Sequence, residues 1–163
     1  EIRSKEFDYS IYEFVEEMTP PGAFDLDVGT NDDLYLRRLH AKQRDRNNVS
    51  YRWTRDRSYV SILGTTADAR ALTLRMSNGG RPPEEALITV RLRLNEYDLG
   101  QFSVGNGFED YTVAMTETLA ETIALEDEAS ILQIESSVWV PSQVLGVSDD
   151  RNLGVMLDRV EVR

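Results

Sequence analysis

"ALITVRLRL", residues 86–94, decides the fold. Ile88, Val90, Leu92 and Leu94 fall on one side of an extended chain, and Thr89, Arg91 and Arg93 fall on the other. A helix would spread these apolar residues around its axis. A strand gathers them on one face, so the segment reads as a strand with one side on a core and one in water.

Outward from that strand the same period recurs. "ALTLRMSN" (71–78) sets Leu72, Leu74 and Met76 against Thr73 and Arg75. "YTVAM" (111–115) and "ILQIESSVWV" (131–140) continue it with Tyr111, Val113 and Met115, then Leu132, Ile134, Val138 and Val140. Turn residues fall between: Asn78-Gly79-Gly80 with Pro82-Pro83, Asn95-Glu96, and Gly105-Asn106-Gly107. Strands are predicted near 24–29, 34–40, 50–55, 58–63, 71–77, 86–94, 97–104, 108–115, 131–140 and 153–162. So many short strands call for an all-β, two-sheet antiparallel β-sandwich, and their number favours a jelly roll over an immunoglobulin-like sandwich. In the last strand Val155 and Leu157 share one phase and Val160 and Val162 the other. A β-bulge at Asp158-Arg159 would produce that slip, and so would a strand that simply twists at a sheet edge. "TETLAETIALEDEAS" (116–130) could hold a helical turn near Glu117–Glu121, and "SIYEFVEEM" (10–18) fits either a helix or a strand. One domain spans 1–163, with 1–21 as a looser N-terminal arm.

The 163 residues are 40% hydrophobic and 29% charged, ordinary for a chain with a real core. The net charge of −11 argues against a general nucleic-acid binder, which needs a basic face. Yet Arg37 to Arg57 holds eight Lys/Arg against two Asp, a local +6 that leaves −17 for the rest. That basic run ends in "SYRWTRDRSYV" (50–60), where Tyr51 and Trp53 stand beside Arg52, Arg55 and Arg57. With no cysteine, disulfides and thiolate chemistry are excluded. No apolar run approaches the ~20 residues of a membrane span, and no stretch of these residues reads as a signal peptide. Starting at Glu1, the chain reads as an excised piece of something larger.

Signs of catalysis are absent. His40 is the sole histidine, and no GxSxG, P-loop or GxGxxG motif occurs. His40 closes "LYLRRLH" (34–40), where Leu34, Leu36 and Leu39 are expected to look inward. The chain is expected to be no enzyme and to need no cofactor. A structural calcium ion is one option for "FDLDVGTNDD" (24–33), where Asp25, Asp27, Asp32 and Asp33 surround a Gly turn. The other is a surface turn whose aspartates cap the backbone.

Aromatic residues bear on sugars, since sugar rings stack on exposed aromatic faces. Trp139 lies out of phase with Val138 and Val140, so alternation assigns it to an outer face or the rim, and Trp53 to the core. Arg52 would then point away from the core, or pair with an acidic residue if buried.

"VPSQVLGVSDDRNLGVMLDRVEV", residues 140–162, resembles the closing segment of β-sandwich domains in large bacterial membrane proteins. Many of these are glycosyltransferases of the dolichyl-phosphate-mannose-mannosyltransferase-like type. Pro141, Gly146, Asp149, Arg151, Leu153 and Gly154 carry the likeness. "DVGTNDDLYLRRLH" followed by "YRWT" is similar as well, through Asp27, Gly29, Asp33, His40, Arg52, Trp53 and Thr54, and so is the hairpin "VRLRLNEYDLGQF" (90–102). The chain departs from those relatives before His40, where it has Arg38 and Leu39. The resemblance covers roughly 24–163. It implies a jelly-roll module, similar to carbohydrate-binding modules, on the outer side of the membrane beside its parent membrane domain.

Two functions follow as expectations. One is a non-catalytic, extracytoplasmic glycan-binding accessory module using Trp139, Arg52, Asp149 and Arg151. The other is a structural or protein-interaction domain that packs on its own membrane enzyme. An exposed indole over a concave sheet would favour the first.

Overall fold

The computed structural model describes residues 23–64, 67–82, 88–124 and 129–163. Ten strands appear among them: β1 (Phe24–Asp27), β2 (Leu36–Leu39), β3 (Gln43–Arg44), β4 (Ser50–Ile62), β5 (Ala71–Ser77), β6 (Thr89–Leu94), β7 (Tyr97–Ser103), β8 (Glu109–Ala114), β9 (Ser130–Ser136) and β10 (Met156–Val162). Two short helices join them, α1 (Glu117–Ala124) and α2 (Pro141–Leu145). The possible N-terminal arm and the helix-or-strand segment 10–18 lie outside the described residues.

Every strand pair is antiparallel. One sheet runs β1-β10-β5-β8 and the other β4-β9-β6-β7. With β2 and β3 set aside as additions to the edge of β4, this is the order of a jelly roll: strands alternate between sheets in nested pairs, forming two Greek keys. The two sheets meet in β4. Its first part pairs with β10 (Arg52 opposite Leu157, Trp53 opposite Met156), and its second part with β9 (Arg57–Ile62 opposite Ser130–Glu135).

Burial follows the alternation closely. Leu72, Leu74 and Met76 are buried, as are Ile88, Val90, Leu92 and Leu94, and Leu132 and Ile134 face them from the same sheet as β6. The bulge stands where the phase slip placed it, between Leu157 and Arg159 of β10. The carbonyl of Asp158 there accepts from the Val28 amide at 2.8 Å.

The structure differs from the sequence reading in four places. The strands expected at 50–55 and 58–63 are one 13-residue strand. β9 stops at Ser136, short of the expected 140, and the chain then leaves the sheet. Pro141 at the start and Gly146 in the left-handed region (φ 67°) delimit α2, a helix the alternation had obscured. Leu34 is not inward but 89% exposed. It sits on a turn in which the Asp32 carbonyl accepts the amides of Tyr35 (3.0 Å) and Leu36 (3.2 Å), so strand phase does not govern it. Leu36 and Leu39 do pack on the core.

Candidate functional site

At one end of the sandwich the loop between β9 and β10 folds over β4. Thr54 is the joint. Its amide donates to the Val155 carbonyl (2.8 Å) and its carbonyl accepts the Gly154 amide (2.9 Å). Its buried hydroxyl accepts the Val155 amide at 2.9 Å and lies 3.1 Å from the Ser136 hydroxyl. Gly154 therefore allows a close backbone approach to Thr54.

Beside this joint Trp53, Trp139, Leu153 and Met156 form a small second core, with Tyr51, Phe108 and Val144 against it. Trp53 is core, as expected. Trp139 is core as well, only 6% exposed, which overturns its assignment to an outer face. The alternation that placed it outside ended at Ser136. Beyond there Trp139 exchanges backbone hydrogen bonds with Leu153 (3.0 and 2.9 Å), and this bridge turns the indole inward.

Arg52 is spent on the fold. Its Nε and Nη2 grip Asp32 bidentately (2.7 and 2.6 Å), Nη2 also reaches Asp33 (2.6 Å), and Nη1 donates to the His40 carbonyl (3.4 Å). Asp32 also accepts the Gly29 amide at 2.6 Å. Burial alone would raise the Asp32 pKa. The Arg52 hydrogen bonds and charge, with the Gly29 amide, outweigh that and hold it below the usual range.

The four aspartates expected as calcium ligands are otherwise engaged. Asp25 pairs with Arg159, Asp27 accepts from the Ser50 hydroxyl (3.2 Å), and Asp32 and Asp33 share Arg52. Among the described residues no group of three or more His, Cys, Asp or Glu could hold a metal ion.

Asp149 and Arg151 form a bidentate pair within their own loop (2.9 and 2.7 Å), and the Arg151 amide adds a third bond to Asp149 at 3.1 Å. The Arg151 hydrogen bonds take the Asp149 carboxyl down to about 2. Arg151 lines an open cleft of about 550 Å³. One wall of that cleft is Arg38, His40, Arg55 and Asp56; the other is Val138, Asp150, Arg151 and Asn152. His40 Nε2 donates to the Asn152 carbonyl at 2.9 Å and so ties the walls together. The cleft thus gathers Arg151 from the expected site residues, leaves Arg52 and Trp139 out of its lining, and has Asp149 fixing Arg151 from behind. Arg38 and Arg55 were not singled out beforehand, although the +6 run from Arg37 to Arg57 contains both.

A smaller depression of about 220 Å³ on the outer face of the β1-β10-β5-β8 sheet also holds arginines, but these are paired. Arg75 meets Asp110 (3.3 Å) and Asp158 (3.0 Å), and Arg159 holds Asp25. Compared with models of known families the chain matches none, and no curated protein matches it. No helix among the described residues is long and apolar enough to cross a membrane.

Proposed function

We propose that this chain is a non-catalytic accessory module that binds a glycan in the cleft between β4 and the β9–β10 loop. The observation that carries the reading is the lining of that cleft: three arginines, His40, Asn152 and two carboxylates, all able to hydrogen-bond hydroxyl groups. Both indoles are buried, so recognition here works through hydrogen bonds and charge rather than by stacking a sugar ring. His40 donates to a backbone carbonyl and so serves to hold the two walls of the cleft in place. By resemblance, the module sits on the outer face of a bacterial membrane, attached to a membrane enzyme such as a glycosyltransferase.

A second reading is favoured by a different observation. Leu145 and Val147, on the same β9–β10 loop, are about half exposed (51% and 49%), and no indole is left as a sugar platform. In this reading the loop packs on the parent enzyme and the domain binds no sugar. Calorimetric titration with neutral and acidic oligosaccharides separates the two. Saturable binding abolished by Arg151→Ala supports the glycan module; heat of dilution alone, across all saccharides, leaves the interaction domain.

A further inference from the structure

The cleft holds two arginines that the fold leaves free or only loosely paired. Across β2 and β4 the register runs Leu36 opposite Val60 and Arg37 opposite Tyr59, then jumps to Leu39 opposite Thr54. Two steps along β2 therefore correspond to five along β4, and Arg55, Asp56 and Arg57 loop out as exposed residues. This extended bulge is pinned from beneath by one fully buried hydroxyl. Ser58 Oγ accepts the Arg55 amide at 3.0 Å and donates to the Arg38 carbonyl at 2.9 Å.

Arg38 is held at φ 61°, in the left-handed region that a residue with a β-carbon enters only at a cost. A strained residue that the surroundings hold in place marks a location worth explaining by function. Among the described residues its guanidinium meets only Asp56, at 3.0 Å, in an exposed pair. The Arg55 side chain has no hydrogen-bond or ion-pair partner among the described residues. Opposite them, Arg151 is locked by Asp149, and Asp150 accepts the Ser142 hydroxyl at 2.5 Å, so that wall is already organised. The result is a recess lined by three arginines against two aspartates, a local +1 in a chain of net charge −11.

Resting on the glycan reading above, we infer that Arg55 and Arg38 form an anion subsite that takes the carboxylate or phosphate group of an acidic saccharide. Two guanidinium groups tied through their backbones to one buried hydroxyl offer planar forks that match either oxyanion. The remaining acidic surface repels anions elsewhere, which confines them to the recess.

The test is titration of the 163-residue chain at low salt with four probes: a uronic-acid oligosaccharide, a sugar phosphate, inorganic phosphate and a neutral oligosaccharide. Arg55→Gln is the test variant. Arg57→Gln, on the same bulge but absent from the cleft lining and paired with Glu135 at 3.3 Å, is the control. An acidic saccharide should bind at least about tenfold more tightly than the neutral one, and Arg55→Gln should erase most of that difference while Arg57→Gln keeps it. A uronate preference or a phosphate preference tells the two oxyanion sources apart. Equal binding of neutral and acidic saccharides overturns the subsite and spares the glycan reading. Binding of inorganic phosphate alone, lost in Arg55→Gln, keeps an anion site and removes the saccharide. Absence of binding by all four probes overturns both.

Discussion

Gly154 lies so close to Thr54 that a β-carbon on the glycine would overlap the threonine hydroxyl, and would stand 2.8 Å from Ser136 Cβ and 3.1 Å from the Arg55 carbonyl oxygen. At this point β4 passes from one sheet to the other, and the start of the last strand is bonded to it by three backbone hydrogen bonds or hydroxyl contacts of Thr54. Gly154→Ala should therefore cost about 3 kcal/mol, the upper part of what overpacking a dense interior costs, and lower Tm by roughly 6–12 °C. Gly105→Ala is the matched control, because its added β-carbon meets its nearest neighbour at an ordinary 3.8 Å. Equal melting temperatures for the two variants would show that the joint yields.

The sheets were legible because water on one face and core on the other write a period of two into β5, β6 and β9, and even a single-residue slip at Asp158 shows as a phase change. The cleft was not. Trp139 was assigned by extending the phase of β9 four residues too far, whereas "PSQVLG" already carried the Pro start and Gly stop of a helix. Arg38 and Arg55 come to one cleft through a bulge of three extra residues; the expected break between 50–55 and 58–63 fell on it, but nothing in the spacing of "YRWTRDRSYV" shows that the strand runs on or that Arg38 lies across from it. Loops and bulges are set by long-range hydrogen bonds such as those of Ser58, which local periodicity does not encode.

Asp32 should anchor the loop before β2. Its side chain is 2% exposed and the Arg52 side chain 13%, so Asp32→Asn leaves that guanidinium to the exposed Asp33, at about 1–3 kcal/mol. The sign with pH follows from the lowered pKa of Asp32. In the unfolded chain the carboxyl titrates near about 3.9, in the folded chain lower, so its stabilisation is full above the first value and fades as pH falls through the second. Urea unfolding of wild type and Asp32→Asn should differ clearly at pH 7 and converge in strong acid. A difference that stays constant with pH would assign the loss to packing instead of charge.

Both tryptophans should behave as interior residues. A β-carbon on Gly79 would overlap the Trp53 ring, coming within 2.7 Å of Cζ2 and 2.9 Å of the Met156 sulfur, and Gly79 itself is at φ 68°. Emission should be blue-shifted and resist iodide quenching, and saccharide binding should leave it almost unchanged. Trp139→Ala should cost about 3–5 kcal/mol through the cavity it leaves beside Leu153 and Met156. Strong iodide quenching that vanishes in Trp139→Phe would return that indole to the surface and restore a stacking platform.

Ser58 couples stability to the cleft. Its hydroxyl is the acceptor for the Arg55 amide and the donor to the Arg38 carbonyl, and the residue is wholly buried. Ser58→Ala removes little volume but leaves a partly buried amide and a carbonyl without their partner, which should cost about 1–3 kcal/mol. The amide of Arg55 should then exchange with deuterium faster, while the amides of Leu132 and Ile134 in the core of the same sheet change only as global stability does. If Arg38 and Arg55 are poised by this hydroxyl, the affinity for an acidic saccharide should fall in Ser58→Ala under conditions where the variant is fully folded. Restoring global stability with an osmolyte would not recover it, because the loss lies in the geometry of two side chains and not in the folded fraction. Wild-type affinity in a folded Ser58→Ala would mean that the bulge keeps its shape without the hydroxyl, and that the left-handed Arg38 is held by the register of β2 on β4 alone.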